Sequence, residues 1–231
     1  MLIAIDTSTD IASLTLVRDG IVLSELTWRS FQNHTIQLTP NIEYLLRLTG
    51  ANPKELTGVI VAKGPGSFNG LRVGVSVAKG LAFSLNIPIV GVNTLEVAAY
   101  QYADTYLPVC PAFNAGREEM VAALYRKQDG IWRELIAGHI TTLEGLVREI
   151  SEKTLFCGEH VPQITARLTE LLGDKVVLAS PVTDMRRAGF LAELGMKKLA
   201  AGETENVATL APIYLRRPPI TEKKTQPHEG L

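Results

Sequence analysis

The chain has little of what metal chemistry, membranes or nucleic acid would call for. Histidine occurs four times, as His34, His139, His160 and His228. No two of them have ligand spacing, so no metal site is expected. The two cysteines, Cys110 and Cys157, lie far apart, and Asp6 interrupts the first apolar run where a secretory leader would need to continue. A reduced, cytoplasmic protein is the expectation. Charge of one sign is also missing: 23 basic residues stand against 24 acidic ones, for a net charge of −1. That balance gives no general attraction to RNA or to an anionic membrane, so any contact with RNA is expected to be indirect. The most apolar region, Leu81 to Val92, is short and carries Asn86 and Pro88. It is unsuited to spanning a bilayer.

What is present centres on Lys63-Gly64-Pro65-Gly66-Ser67-Phe68-Asn69-Gly70-Leu71-Arg72-Val73-Gly74. The β-branched run Gly58 to Ala62 precedes it and helical spacing follows, so the pattern is strand, glycine turn, helix. Gly64 and Gly66 suit backbone angles that other residues dislike, and Ser67 is placed to cap the helix. Free amides at such a start can cradle an anion. No Lys-Ser or Lys-Thr pair closes the run, so it is not a Walker loop. Within the helix, Gly70, Gly74 and Ala78 recur every fourth residue and give one face almost no side chain. Glycine inside a helix costs about 1 kcal/mol against alanine, so close packing is implied, against either this chain or a partner.

Leu2 to Asp6, Ile11 to Val17 and Ile21 to Trp28 read as a three-strand meander with a hairpin at Asp19-Gly20. A helix from about Asn33 to Thr49, the organising strand and helix, and a strand at Ile87 to Val90 follow. The second half repeats the plan: strands at Val109 to Asn114, Met120 to Tyr125 and Ile131 to Ile136, with Asp129-Gly130 between the last two. Alternating helices and strands then continue to Ala201. Two α/β lobes of duplicated βββαβαβα topology are expected, residues 1–103 and 104–215, with 216–231 a polar mobile tail. Ser8 and Ser67 lack a histidine in suggestive context and read as turn and cap residues, and Glu118-Glu119 as a solvated turn. Arg72 and Lys79 lie on one helical face, solvated or holding an acidic group. No catalytic residue is assigned.

The doubled plan resembles the actin, sugar-kinase and Hsp70 superfamily. That resemblance implies phosphate contacts at the turns after the first strand of each lobe and a carboxylate at each strand end. The matching positions are Asp6 and Asn114, of which only one carries charge, and the glycine pair expected against adenosine falls at Gly158-Glu159. The glycine run, with Ala78-Lys79-Gly80-Leu81-Ala82, Pro88-Ile89-Val90-Gly91-Val92, Ile5-Asp6-Thr7-Ser8 and Pro212-Ile213-Tyr214-Leu215-Arg216, is similar to the TsaB (YeaZ) family almost end to end. Asn69 and Asn114 replace that family's usual threonine and aspartate. The resemblance implies a non-catalytic partner in forming threonylcarbamoyladenosine beside the anticodon of tRNAs reading codons that start with A. Its partners would be the catalytic paralogue TsaD and the ATPase TsaE, with a homodimer when alone. TsaD carries a His-x-x-x-His pair where this chain has Thr94 and Ala98, which also counts against a metallopeptidase.

On that basis the partner interface is expected at His34, Leu38, Ile42, Gly70, Val73, Gly74, Val77 and Ala78. Nucleotide or anion contact, if any, falls to Asp6, Thr7, Ser8, Gly64, Gly66 and Ser67. No cofactor is expected. The alternative is a small-molecule phosphotransferase in which Asp6 orders magnesium and the glycine turn holds phosphate.

Overall fold

A computed structural model describes residues 1–215; the expected tail, 216–231, lies outside them. In chain order the elements are β1 (Leu2–Asp6), β2 (Ile11–Arg18), β3 (Ile21–Arg29), α1 (His34–Leu48), β4 (Gly58–Ala62), α2 (Phe68–Leu85), β5 (Ile89–Val92) and α3 (Thr94–Tyr100). Then come β6 (Val109–Gly116), β7 (Glu119–Gln128), β8 (Ile131–Thr141), α4 (Leu143–Glu149), β9 (Thr154–Cys157), α5 (Val161–Leu172), β10 (Val176–Leu178) and α6 (Ala188–Ala200). Both hairpins expected at Asp-Gly pairs are present. Asp19 and Gly20 have φ of 51° and 78°, and Asp129 and Gly130 have 51° and 76°, the left-handed pair that a two-residue hairpin requires. β8 continues to Thr141, five residues past the end read from its apolar pattern, because it stays paired with β7 as far as Met120.

The strands form two five-stranded sheets ordered β3-β2-β1-β4-β5 and β10-β9-β6-β7-β8. Numbering the second lobe from β6 gives the same order read from the other edge, with antiparallel meanders and parallel additions in both. The duplicated α/β plan is therefore the observed fold.

Strand alternation sorts the core into layers. Ile3 and Ile5 face α1 and α2 with Leu38, Leu45 and Val75, whereas Ala4 faces α6 with Leu191 and Ala192. In the second sheet, Cys110 and Ala112 face α4 and α5, while Val109 and Phe113 face α3. The layers run α1 and α2, first sheet, α6 and α3, second sheet, α4 and α5. Each fully buried leucine or isoleucine contributes about 1.5–3 kcal/mol to this arrangement.

The strands divide between Val92 and Val109, around the boundary expected at residue 103, but two helices cross it. Helix α6 follows the second sheet in the chain but packs on the first, where Leu191, Ala192 and Leu194 meet Ile60 and Val90. Helix α3 follows the first sheet but presents Leu95, Ala98 and Ala99 to the second. After α6 the chain runs back over the first lobe. The Glu205 amide donates to Ile89 O at 2.8 Å and the Ile213 amide to Lys63 O at 2.6 Å. Apolar periodicity marks which face of a helix is buried, but not which sheet covers it.

Candidate functional site

The crevice between the lobes is built around Asp6 at the end of β1. The Asp6 carboxylate is 1% exposed. Its Oδ1 accepts from the Ser8 amide at 2.8 Å and the Ser8 hydroxyl at 2.5 Å, and its Oδ2 accepts from Arg186 Nε at 3.0 Å. Arg186 comes from the segment between β10 and α6. Its Nη1 donates to Glu159 Oε1 at 2.6 Å, and its Nη2 to Thr9 Oγ1 at 2.6 Å and Ile11 O at 3.2 Å. Thr9 Oγ1 also donates to Glu159 Oε1. The guanidinium lies 5.2 Å from the centre of the Phe113 ring. Burial opposes its charge, but Asp6 and Glu159 outweigh that and hold its pKa above the ordinary arginine value. Two residues earlier, both carboxylate oxygens of Asp184 accept from the Gly158 amide at 2.9 Å, and burial raises the Asp184 pKa.

The residues expected to hold a nucleotide or anion do come together, but they hold one another. Ser67 caps α2, accepting from the Gly70 amide at 3.3 Å, and its own amide donates to Ser8 O at 2.6 Å. The Gly64 amide donates to Thr94 Oγ1 at 3.1 Å. Thr7 donates through its hydroxyl to Gly70 O at 2.7 Å. A Cβ on Gly66 would overlap the Ser8 carbonyl. The glycine turn is thus packed on the turn after β1 through the Ser67 amide, while the Gly64 amide ties it to the start of α3. Asn114 is exposed and accepts from the Gly116 amide at 2.7 Å, stabilising its own hairpin. Beside this joint a small cavity of about 180 Å³ is lined by Pro65, Phe68, Phe113 and Tyr214 among others.

The small-residue stripe on α2 requires a correction. Gly70, Gly74 and Ala78 face inward, and Cβ atoms at Gly70 and Gly74 would collide with Thr7 O and Thr7 Oγ1. His34, Leu38 and Ile42 are buried too, and His34 Nε2 is paired with Thr9 O at 2.8 Å. Six of the eight expected interface residues therefore lie inside this chain, and only Val73 and Val77 are partly open. The four-residue spacing identified a close approach; the surface approached is β1 of the same lobe. The outward side of α1 and α2 instead carries Ile36, Tyr44, Leu48 and Phe83, with Ile36 70% and Phe83 80% exposed. Lys79 is not free for an acidic partner, since it donates to Ala208 O at 3.1 Å and Leu210 O at 3.0 Å. Arg72 lies over Phe68 at 4.6 Å.

Arg186 and the role of Glu159 were not visible in the sequence. Arg186-Arg187 looks like any basic pair before a helix, and its partners are up to 180 positions away. Among the described residues no helix is long and apolar enough to cross a membrane, and no cluster of three or more candidate ligands for a metal ion occurs.

Two sheets of one topology, with helices on every face and the β1 turn meeting a glycine turn in the crevice, define an actin-like ATPase fold. Component A of the Acidaminococcus fermentans (R)-2-hydroxyglutaryl-CoA dehydratase shares this fold, with a TM-score of 0.52 at 11% identity over 86% of this chain and 98% of that one. The family model for tRNA N6-adenosine threonylcarbamoyltransferase, TsaD, matches residues 23–222. The tRNA threonylcarbamoyladenosine biosynthesis protein TsaB of Bacillus subtilis (strain 168) is 32% identical over 218 residues, 93% of each chain, and that of Escherichia coli (strain K12) is 29% identical over 93% of this chain and 94% of that one. The YeaZ structure from Pseudomonas aeruginosa superposes with a TM-score of 0.78 at 25% identity, covering 93% of this chain and 99% of that one. The chain belongs to the TsaB family.

Proposed function

We propose that this protein serves threonylcarbamoyladenosine formation on tRNA as a non-catalytic scaffold that binds TsaD and supports TsaE, and pairs with a second copy when alone. The observation that carries the non-catalytic part is the state of Asp6. It is the carboxylate on which crevice chemistry would depend, and both its oxygens are engaged by Ser8 and Arg186. The phosphotransferase alternative would need that carboxylate free to order a metal, and no feature of the crevice favours it.

The scaffold part rests on family membership and on the outward face of α1 and α2. Ile36, Tyr44, Leu48 and Phe83 are large apolar side chains left in water on two neighbouring helices, the kind of surface that marks a protein contact. Gly74 is a poor probe of this face because it is buried. Ile36→Glu and Phe83→Glu change exposed side chains and should leave the fold intact. Light scattering of the protein with the TsaD of its own organism should show a mixed complex that both substitutions weaken. A complex indifferent to both would move the contact elsewhere. No complex at all, with TsaE and ATP present, would refute the scaffold reading.

A further inference from the structure

The segment from Asp184 to Ala188 ties the two lobes together. Asp184 accepts from the Gly158 amide of the second lobe, while the Ala188 amide donates to Ser13 Oγ of the first at 2.9 Å. Between them the Arg186 guanidinium is 3% exposed and uses all three nitrogens. Asp6, Thr9 and Ile11 receive it on the first lobe, and Glu159 and the Phe113 ring on the second. A fork of donors suits such multiple acceptance in a way that a lysine point charge does not. Both carboxylates are drawn to a single cation, so separating the lobes would leave charge unpaired in a site with little water. The neighbouring Arg187 forms its ion pair with Glu25 wholly within the first lobe and is largely exposed.

We propose that Arg186 is an interlobe clasp. It fills the crevice from inside and fixes the angle between the lobes, so the crevice works as a locked joint rather than a ligand pocket. Domain closure of the hinge type needs a crevice whose walls are free to part, and here the chain supplies its own permanent occupant.

The test is a distance measurement between nitroxides at Ser84→Cys on α2 and Thr169→Cys on α5. Both positions are exposed, and the native Cys110 and Cys157 are buried beyond the reach of the label. Diluted with unlabelled chain so that pairing with a second copy adds no distances, the parent should give one narrow distance distribution. Arg186→Met and Glu159→Ala should each broaden it and shift it outward, whereas Arg187→Met should leave it unchanged. Glu159 is more open to solvent than Arg186, so Glu159→Ala keeps the test decisive if Arg186→Met does not fold. A distribution in folded Glu159→Ala that matches the parent would overturn the clasp, as would equal broadening by Arg187→Met.

Discussion

Gly74 and Gly80 of α2 should respond in opposite directions to the same substitution. At Gly80 an added Cβ meets nothing within 4 Å, so Gly80→Ala gains the helix preference of alanine, about 1 kcal/mol. Gly74→Ala receives the same gain but places its Cβ into Thr7 Oγ1 and 3.5 Å from Thr7 Cβ. Thr7 is 1% exposed and its hydroxyl is committed to Gly70 O. Turning it away forfeits a buried hydrogen bond, about 1–3 kcal/mol, and pushing the helix off β1 adds about 1–3 kcal/mol of overpacking. After subtracting the alanine gain, a net loss of about 3 kcal/mol is expected. With a urea m-value of about 3 kcal/mol/M, the unfolding midpoint should fall by about 1 M for Gly74→Ala and rise by roughly 0.3 M for Gly80→Ala. A midpoint for Gly74→Ala at or above that of the parent would show that the stripe does not bear on β1.

Removing the α2 cap in Ser67→Ala should lower stability by about 1 kcal/mol, read as a smaller midpoint shift in the same urea experiment. His160 supplies a pH dependence: burial pushes its imidazole pKa below the ordinary value, and Nδ1 has no hydrogen-bond partner among the described residues. The unfolded chain then binds the proton more readily, so the contribution of His160 is complete above about pH 6.5 and declines as pH falls through that value. His160→Gln should flatten that part of the stability curve between pH 7 and 5; a proton NMR midpoint at or above 6.5 for His160 would contradict the reasoning.

Local chemistry was legible wherever one residue type imposes one geometry. The Asp-Gly hairpins and the Ser67 cap follow from backbone angles, the strand at Leu2 to Asp6 from its apolar run, and the repeated order of such elements made the doubled sheet readable. Relations set by tertiary packing were not legible in the same way. The spacing of Gly70, Gly74 and Ala78 announces a thin face but is silent about whether β1 or another molecule fills it. Likewise, Asp6 looks like a metal carboxylate until Arg186, from the far end of the chain, is found against it. Family resemblance reached the fold and the setting in tRNA threonylcarbamoyladenosine biosynthesis, whereas the interface was read from two helices and their stripe of small residues, a spacing that does not register exposure.

The exchange of α3 and α6 between the sheets has a consequence for synthesis on the ribosome. All five strands of the first sheet emerge before β6, but α6, which covers their inner face, emerges only after β10. Ala4, Ile60 and Val90 must therefore wait through translation of the whole second sheet with only Val97 and Tyr100 of α3 on that side and the α6 cover missing. The N-terminal lobe cannot finish folding as an independent unit behind the advancing ribosome, as early domains usually do, and a chain truncated before Ala188 would leave that face of the sheet without the Leu191, Ala192 and Leu194 that close it.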